Sequence, residues 1–163
     1  MKRIGIISDT HGTFPEDVRR FLAEVDEIWH AGDIGSLELA AEIANFKPLR
    51  GVHGNIDDYS MRYSYPTFQC FECEERRVLL THIGMQGGRY IPAVAEKIRS
   101  LKPDIFVCGH SHILKIFYDQ KFNLLNINPG ACGLYGFHRV RTAVRFEIDG
   151  RDMRNLEVVD WKR

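Results

Sequence analysis

Five short apolar runs in this 163-residue chain break off, each within a few residues, into a turn carrying aspartate, asparagine or histidine, usually beside glycine. They read "RIGIIS" into "DTHG", then "EIWHAGD", "KPLRGVHGN", "RRVLLTH" and "PDIFVCGHSH". Apolar runs this short, bounded by turn residues, fit buried strands. Stretches of helical spacing separate the first three. "FPEDVRRFLAEV" has proline near its start, with Val18, Phe21, Leu22 and Val25 in phase. "SLELAAEIANF" starts with the capping residue Ser36 and places Leu37, Ala40, Ala41 and Ala44 on one face. Strands alternating with helices of about ten residues imply right-handed parallel crossovers.

After residue 65 the pattern changes. "TFQCFECEERRVLLTH" alternates around Glu74-Glu75 and reads as a hairpin, "IPAVAEKIRSL" as a helix with proline in its first turn, and "PDIFVC" as a buried strand. Two further hairpins follow: "LKIFYD" with "FNLLNINPG", and "RTAVRFEI" with "DMRNLEVVDW" across Asp149-Gly150-Arg151. No repeat, low-complexity tract or linker interrupts the chain. The expected architecture is α/β, a single domain over residues 1–163, with a βα half and a hairpin-rich half stacked as two sheets and helices outside.

Charge and cysteine content narrow the partners. Lys+Arg and Asp+Glu are equal at 22 each, so the basic excess of proteins driven by phosphate charge is missing and nucleic acid is not the expected partner. The longest apolar runs are too short to span a bilayer. The opening "MKRIGIISD" lacks the apolar core of a secretory signal, which makes the cytoplasm the expected compartment. Cys70 and Cys73 form one C-x-x-C, with Cys108 and Cys132 apart from it. A zinc ribbon or disulfide framework needs more, so reduced, unligated thiols are expected. Oligomeric state stays open, a homo-oligomer included.

The polar residues that end the apolar runs carry the chemistry. Asp9 and His11 follow the first strand, Asp33 the second and Asn55 the third; His82 ends the hairpin strand, and His110 and His112 follow "DIFVC". In open α/β sheets the carboxyl edge of the strands is where ligands bind. Each residue alone is ordinary turn vocabulary. Together they supply two aspartates, one asparagine and four histidines, a set without thiolate that suits Mn, Zn, Fe, Ni or Co. Seven donors exceed the four of a simple zinc site, which points to two ions, with a carboxylate such as Asp33 able to bridge them. His30 and His53 read as supporting or structural groups; no role is assigned to His138 or Arg139.

The ordered motifs "SDTHG", "HAGD", "GNID", "THIG" and "GHSH", followed by "NPGA", resemble those of the calcineurin-like metallophosphoesterases. Chain length resembles the small prokaryotic phosphodiesterase branch. The resemblance implies a four-layer αββα sandwich of two mixed sheets with helices outside. It implies two divalent ions, manganese first, with nickel, zinc, iron or cobalt as alternatives. One would be held by Asp9, His11, Asp33 and His112, the other by Asp33, Asn55, His82 and His110. It further implies hydrolysis of a small phosphodiester by a metal-bridging hydroxide, with Asp33 and Asn55 as the catalytic positions. A second implication comes from a retromer subunit of the same superfamily that serves mainly as an interaction module, so a protein-binding scaffold is the competing expectation.

Three positions depart from the family pattern. Ile56 stands where many members carry a histidine proposed to protonate the leaving group; the small phosphodiesterase branch commonly lacks it too. Ile83 replaces a glycine, and Ala131 a serine. The last two are expected to alter pocket shape rather than metal binding.

Overall fold

The computed structural model describes residues 1–163. In chain order the elements are β1 (Lys2–Ile7), α1 (Glu16–Phe21), β2 (Glu27–His30), α2 (Leu37–Phe46), β3 (Leu49–Gly51), α3 (Tyr59–Ser64), β4 (Phe68–Cys73) and β5 (Arg76–Thr81). There follow β6 (Met85–Gln86), β7 (Arg89–Tyr90), α4 (Pro92–Leu101), β8 (Ile105–Val107), β9 (Leu114–Asp119), β10 (Leu124–Pro129), β11 (Val140–Asp149) and β12 (Asp152–Lys162). One sheet has the order β12-β11-β1-β2-β3 and a second the order β4-β5-β8-β10-β9. Both are mixed: β1, β2 and β3 run parallel, as do β5, β8 and β10, while the outer hairpin strands are antiparallel.

Three apolar layers hold four structural layers together. Ile4, Ile6, Trp29, Val78, Leu80, Ile105, Val107, Ile127, Val144 and Phe146 fill the space between the sheets. Ile7, Ile28, Val18, Leu22, Leu39 and Ile43 seal α1 and α2 onto the first sheet, and Leu79, Phe106, Leu124, Val94 and Ile98 seal α4 onto the second. Strands β1 and β8 therefore bury both faces, which is why their sequences are continuous apolar runs rather than alternating ones. The αββα expectation holds.

Local details differ in three places. Helix α2 is capped by Ser36, whose Oγ accepts from Leu39 N at 3.1 Å, but it buries Leu39, Ala40 and Ile43, with Leu37 turned outward. The face drawn through Leu37, Ala41 and Ala44 is wrong because alanines carry little apolar weight and Ile43 decides the orientation. Helix α1 stops at Phe21, leaving Leu22 and Val25 to pack from a turn. Helix α3 and the short β6–β7 ribbon have no counterpart in the sequence reading. Cys70 is exposed and Cys73 buried on β4, since residues three apart in a strand point to opposite faces.

Trp29 sits at the centre of the inter-sheet layer, with Phe71 and Phe146 edge-on to its ring at 5.2 and 5.9 Å. Trp29→Ala is expected to cost about 3–5 kcal/mol, read as a lower urea midpoint with the m-value unchanged.

Candidate metal centre

The parallel strands of each sheet end on one edge, and the two edges meet. Asp9 N donates to Gly32 O (3.0 Å), His11 N to Asp33 O (3.0 Å), Gly109 N to His82 O (2.9 Å) and Cys132 N to Ser8 O (3.1 Å), so the loops extend the ladders beyond the strands. All seven predicted residues gather there. Asp9 and Asp33 lie at the centre, fully buried or nearly so. His11 and His112 pack edge-to-face on one side with ring centroids 5.2 Å apart, and His82 and His110 do the same on the other at 5.2 Å. Asn55 Oδ1 is 3.0 Å from His82 Nε2 and 2.9 Å from His110 Nδ1.

Five of the seven, Asp9, His11, Asp33, His110 and His112, have φ between 46° and 70°. That left-handed region costs an L-residue with a side chain about 1–2 kcal/mol, and its clustering marks functional sites. Elsewhere the chain uses it at Glu74, Lys102, Asn123 and Asn155, in hairpin turns, at a helix end and at the strand irregularity of β12. Close approach adds a second constraint. A Cβ on Gly54 would collide with Asp33 Oδ1, and one on Gly109 with Ser8 Oγ. Substituting either glycine would displace a carboxylate or its support.

The protons in this cluster can be traced. His82 Nδ1–H donates to Ala31 O at 2.6 Å, and a carbonyl can only accept, so in the neutral ring Nε2 is a bare lone pair. That lone pair faces Asp33 Oδ2 at 3.2 Å and Asn55 Oδ1 at 3.0 Å. His112 Nε2 faces Asp9 Oδ1 at 3.1 Å. His11 Nε2 lies 3.4 Å from Asp33 Oδ2 and 3.5 Å from Asp9 Oδ1, beyond good hydrogen-bonding distance. Asp9 Oδ1 and His11 Nε2 are buried without a hydrogen-bond partner. Acceptors facing acceptors need a cation between them, either ring protons or a metal. Two groups have donors within 4.8 Å of one another: Asp9, His11 and His112, and Asp9, Asp33 and His82.

With protons as the only cations, the charges shift accordingly. Asp33 and then Asp9 raise the His11 pKa to about 9, against burial. Burial would lift both carboxyls, but the surrounding histidines overcome it and hold Asp9 and Asp33 below the usual range. Burial lowers His82, yet Asp33 and Asp9 outweigh it and leave a net rise. Divalent metals displace such protons, so the residues fit a metal in chemistry as well as in position.

Supporting residues appear whose roles the sequence did not assign. Asp57, buried, accepts from Ile34 N (3.2 Å), Gly35 N (2.9 Å) and Gly54 N (2.9 Å), tying the loop after β2 to the loop after β3. Asn128 Nδ2 donates to Gly109 O and Ser111 Oγ, both at 3.0 Å, and holds the "GHSH" loop. Ser8 Oγ donates to Asp9 Oδ2 at 2.6 Å. His138 Nε2 lies 2.8 Å from Gly133 O, and its Nδ1 3.0 Å from His112 Nδ1. Both Asp57 and Asn128 sit in quoted motifs; only their burial reveals the role.

Ile56 is 49% exposed, and its backbone N–H, not its side chain, reaches Asp33 Oδ1 at 3.0 Å. A cleft of about 300 Å³ opens beside Asn55 and His82, walled by Phe68, Ile83 and Ile91, with His53 and Arg62 on its lining. Ile83 thus shapes the pocket as expected; Ala131 is fully buried and takes no part in that lining.

Residues 1–151 match the calcineurin-like phosphoesterase superfamily domain. A probable metallophosphoesterase of Methanothermobacter thermautotrophicus is 31% identical over 137 residues, 78% of this chain and 76% of that protein. The chain belongs to the calcineurin-like phosphoesterase superfamily. Among solved structures, Vps29 from Chaetomium thermophilum superposes with a TM-score of 0.77 over 100% of both chains at 16% identity. An archaeal phosphodiesterase superposes with a TM-score of 0.71 at 23% identity, over 96% of this chain and 99% of that one. No helix here is long and apolar enough to cross a membrane.

His30 yields a pH prediction. Gly32 N donates to its Nδ1 (3.1 Å), so Nε2–H donates to Thr10 Oγ1 (2.9 Å), and Thr10 Oγ1 to Ile34 O (2.9 Å). Fully buried and neutral, its pKa is pushed down to about 3 by burial. The unfolded chain takes up this proton near pH 6.5 and the folded chain only near 3, so the contribution is intact above 6.5 and lost as pH falls. The metal-free protein should lose up to about 1.4 kcal/mol per pH unit between 6.5 and 4. Urea midpoints across that range should fall less steeply for His30→Gln.

Proposed function

We propose that this chain is a binuclear metal-dependent phosphodiesterase acting on small phosphodiesters. The observation that carries the reading is the buried cluster in which histidine nitrogens converge on two carboxylates at 3.1–3.5 Å, an arrangement that needs a cation between them. Asp9, His11, Asp33 and His112 would hold one divalent ion, and Asp33, Asn55, His82 and His110 the other, with manganese first among the candidates. Bound there, such ions supply Lewis-acid activation of water and neutralise charge on a phosphoryl group. Asp33 Oδ2, 3.4 Å from His11 Nε2 and 3.2 Å from His82 Nε2, stands between the two histidine pairs and suits the shared position. Asn55 Oδ1 faces His82 and His110, which leaves Nδ2 as a donor to a phosphoryl oxygen. The apolar cleft beside Asn55 accommodates an ester group, and Arg62, on its lining, donates to the Asp57 and Asn55 carbonyls with no carboxylate within ion-pair distance.

The missing acid sets which leaving groups such an enzyme can expel. Ile56 has no proton to give, and His30 is locked in a buried hydrogen-bond chain, which leaves a weakly acidic leaving group without help. A positioned general acid contributes about 10²–10⁴-fold. Turnover of aryl methyl phosphodiesters should therefore fall steeply as leaving-group pKa rises, and Ile56→His should flatten that dependence. A flat series in the parent protein would mean that His53 already supplies the proton.

The shared carboxylate is tested by metal titration. Asp33→Ala should lose affinity at both sites, with activity abolished, whereas His112→Ala should weaken mainly one. Two ions bound with unchanged affinity by Asp33→Ala would overturn the assignment.

A second reading, a protein-binding scaffold, draws on exposed apolar side chains at Ile56, Tyr59, Tyr63, Leu134, Tyr135 and Phe137, and on the likeness to Vps29. The complete donor set favours the enzyme. Metal-loaded protein that turns over no member of a phosphodiester panel would favour the scaffold.

A further inference from the structure

We propose that His138 is a positioning residue that fixes the tautomer and orientation of His112, keeping the Nε2 lone pair of His112 aimed at Asp9. The Gly133 carbonyl accepts from His138 at 2.8 Å, which places the proton of a neutral His138 on Nε2 and leaves Nδ1 as an acceptor. His112 Nδ1 lies 3.0 Å from that acceptor, so it must be the donor. Its own Nε2 is then bare, 3.1 Å from Asp9 Oδ1. One backbone carbonyl thereby sets the protonation pattern of two rings in series. Imidazoles that hold metals usually give their second N–H to a carboxylate or carbonyl; here another imidazole takes it.

The loop bearing His138 is built to keep this contact. The two rings stand edge-to-face with centroids 5.0 Å apart, and His138 is 8% exposed. A Cβ on Gly136 would lie 2.6 Å from His112 Cε1 and 2.9 Å from His138 Nδ1, and its φ of 137° also disfavours any side chain. The Arg163 guanidinium donates to the carbonyls of His138 (2.9 Å) and Gly136, fastening the loop from outside.

This inference rests on the reading of His112 as a metal ligand, and the experiment separates the two. Mn²⁺ is titrated calorimetrically into the parent protein, His138→Leu, His138→Gln and His112→Ala. Glutamine retains both functions, an acceptor for His112 Nδ1–H and a donor for Gly133 O. His138→Leu should weaken one site by about 10–100-fold, while His138→Gln stays close to the parent. Unchanged affinity in His138→Leu beside a weakened His112→Ala, or equal losses in Leu and Gln, would overturn the positioning role. Unchanged affinity in His112→Ala would instead overturn the ligand assignment. A readout needing neither metal nor variant is the ring proton–nitrogen correlation spectrum of the metal-free parent at alkaline pH. It should show His112 as the Nδ1–H tautomer and His138 as Nε2–H; His112 as Nε2–H would overturn the proposal.

Discussion

Two buried carboxylates surrounded by imidazole nitrogens form the constraint on which the rest of this structure depends. Asp9 and Asp33 sit where two sheets meet, with almost no contact to water, and burying unpaired negative charge is among the most expensive things a protein can do. A cation has to be there. Ring protons on His11 and its neighbours can supply it, and divalent metals can replace them. The low carboxyl pKa values and the raised His11 pKa are two views of one electrostatic demand.

Meeting that demand strains the backbone. Five donors in left-handed conformation cost in total an amount comparable with the net stability of a small domain, and the fold offsets it locally. Asp57 clamps two loops through three backbone N–H groups. Asn128 holds a third loop, and His30 with Thr10 joins the loops after β1 and β2. Behind them the inter-sheet layer of branched and aromatic side chains gives the strand ends a rigid base. Rigid strands under short strained loops are a sound way to hold donors, because the supporting hydrogen bonds leave the side chains little freedom.

The fold alone does not decide function. An archaeal phosphodiesterase and Vps29 superpose about equally well on this chain, as expected when one scaffold hosts different sites. In the proposed reading the side chains at the sheet edge carry the distinction: a set of oxygen and nitrogen donors with a cleft beside Asn55 and His82.

Much was readable in the sequence because the relevant physics is local. Apolar runs ending in glycine-rich turns mark buried strands and their carboxyl ends, and the aspartate, asparagine and histidine donors sit within those turns. The hairpins at Glu74-Glu75 and Asp149-Gly150 were likewise legible from turn chemistry. Side-chain orientation on α2 was not, since a helix of alanines and alternating polar residues takes its rotation from the sheet beneath, which Leu39, Ala40 and Ile43 reach. Nor were the roles of Asp57 and His138. Nothing near Asp57 in the chain announces that three backbone N–H groups converge on it, and His138 stands 26 residues from the histidine it touches. Which donors the chain carries, and that they fall at strand ends, followed from the sequence by itself. Which nitrogen of each ring is left bare was decided by hydrogen bonds between distant segments, which exist only once the two sheets have closed on each other.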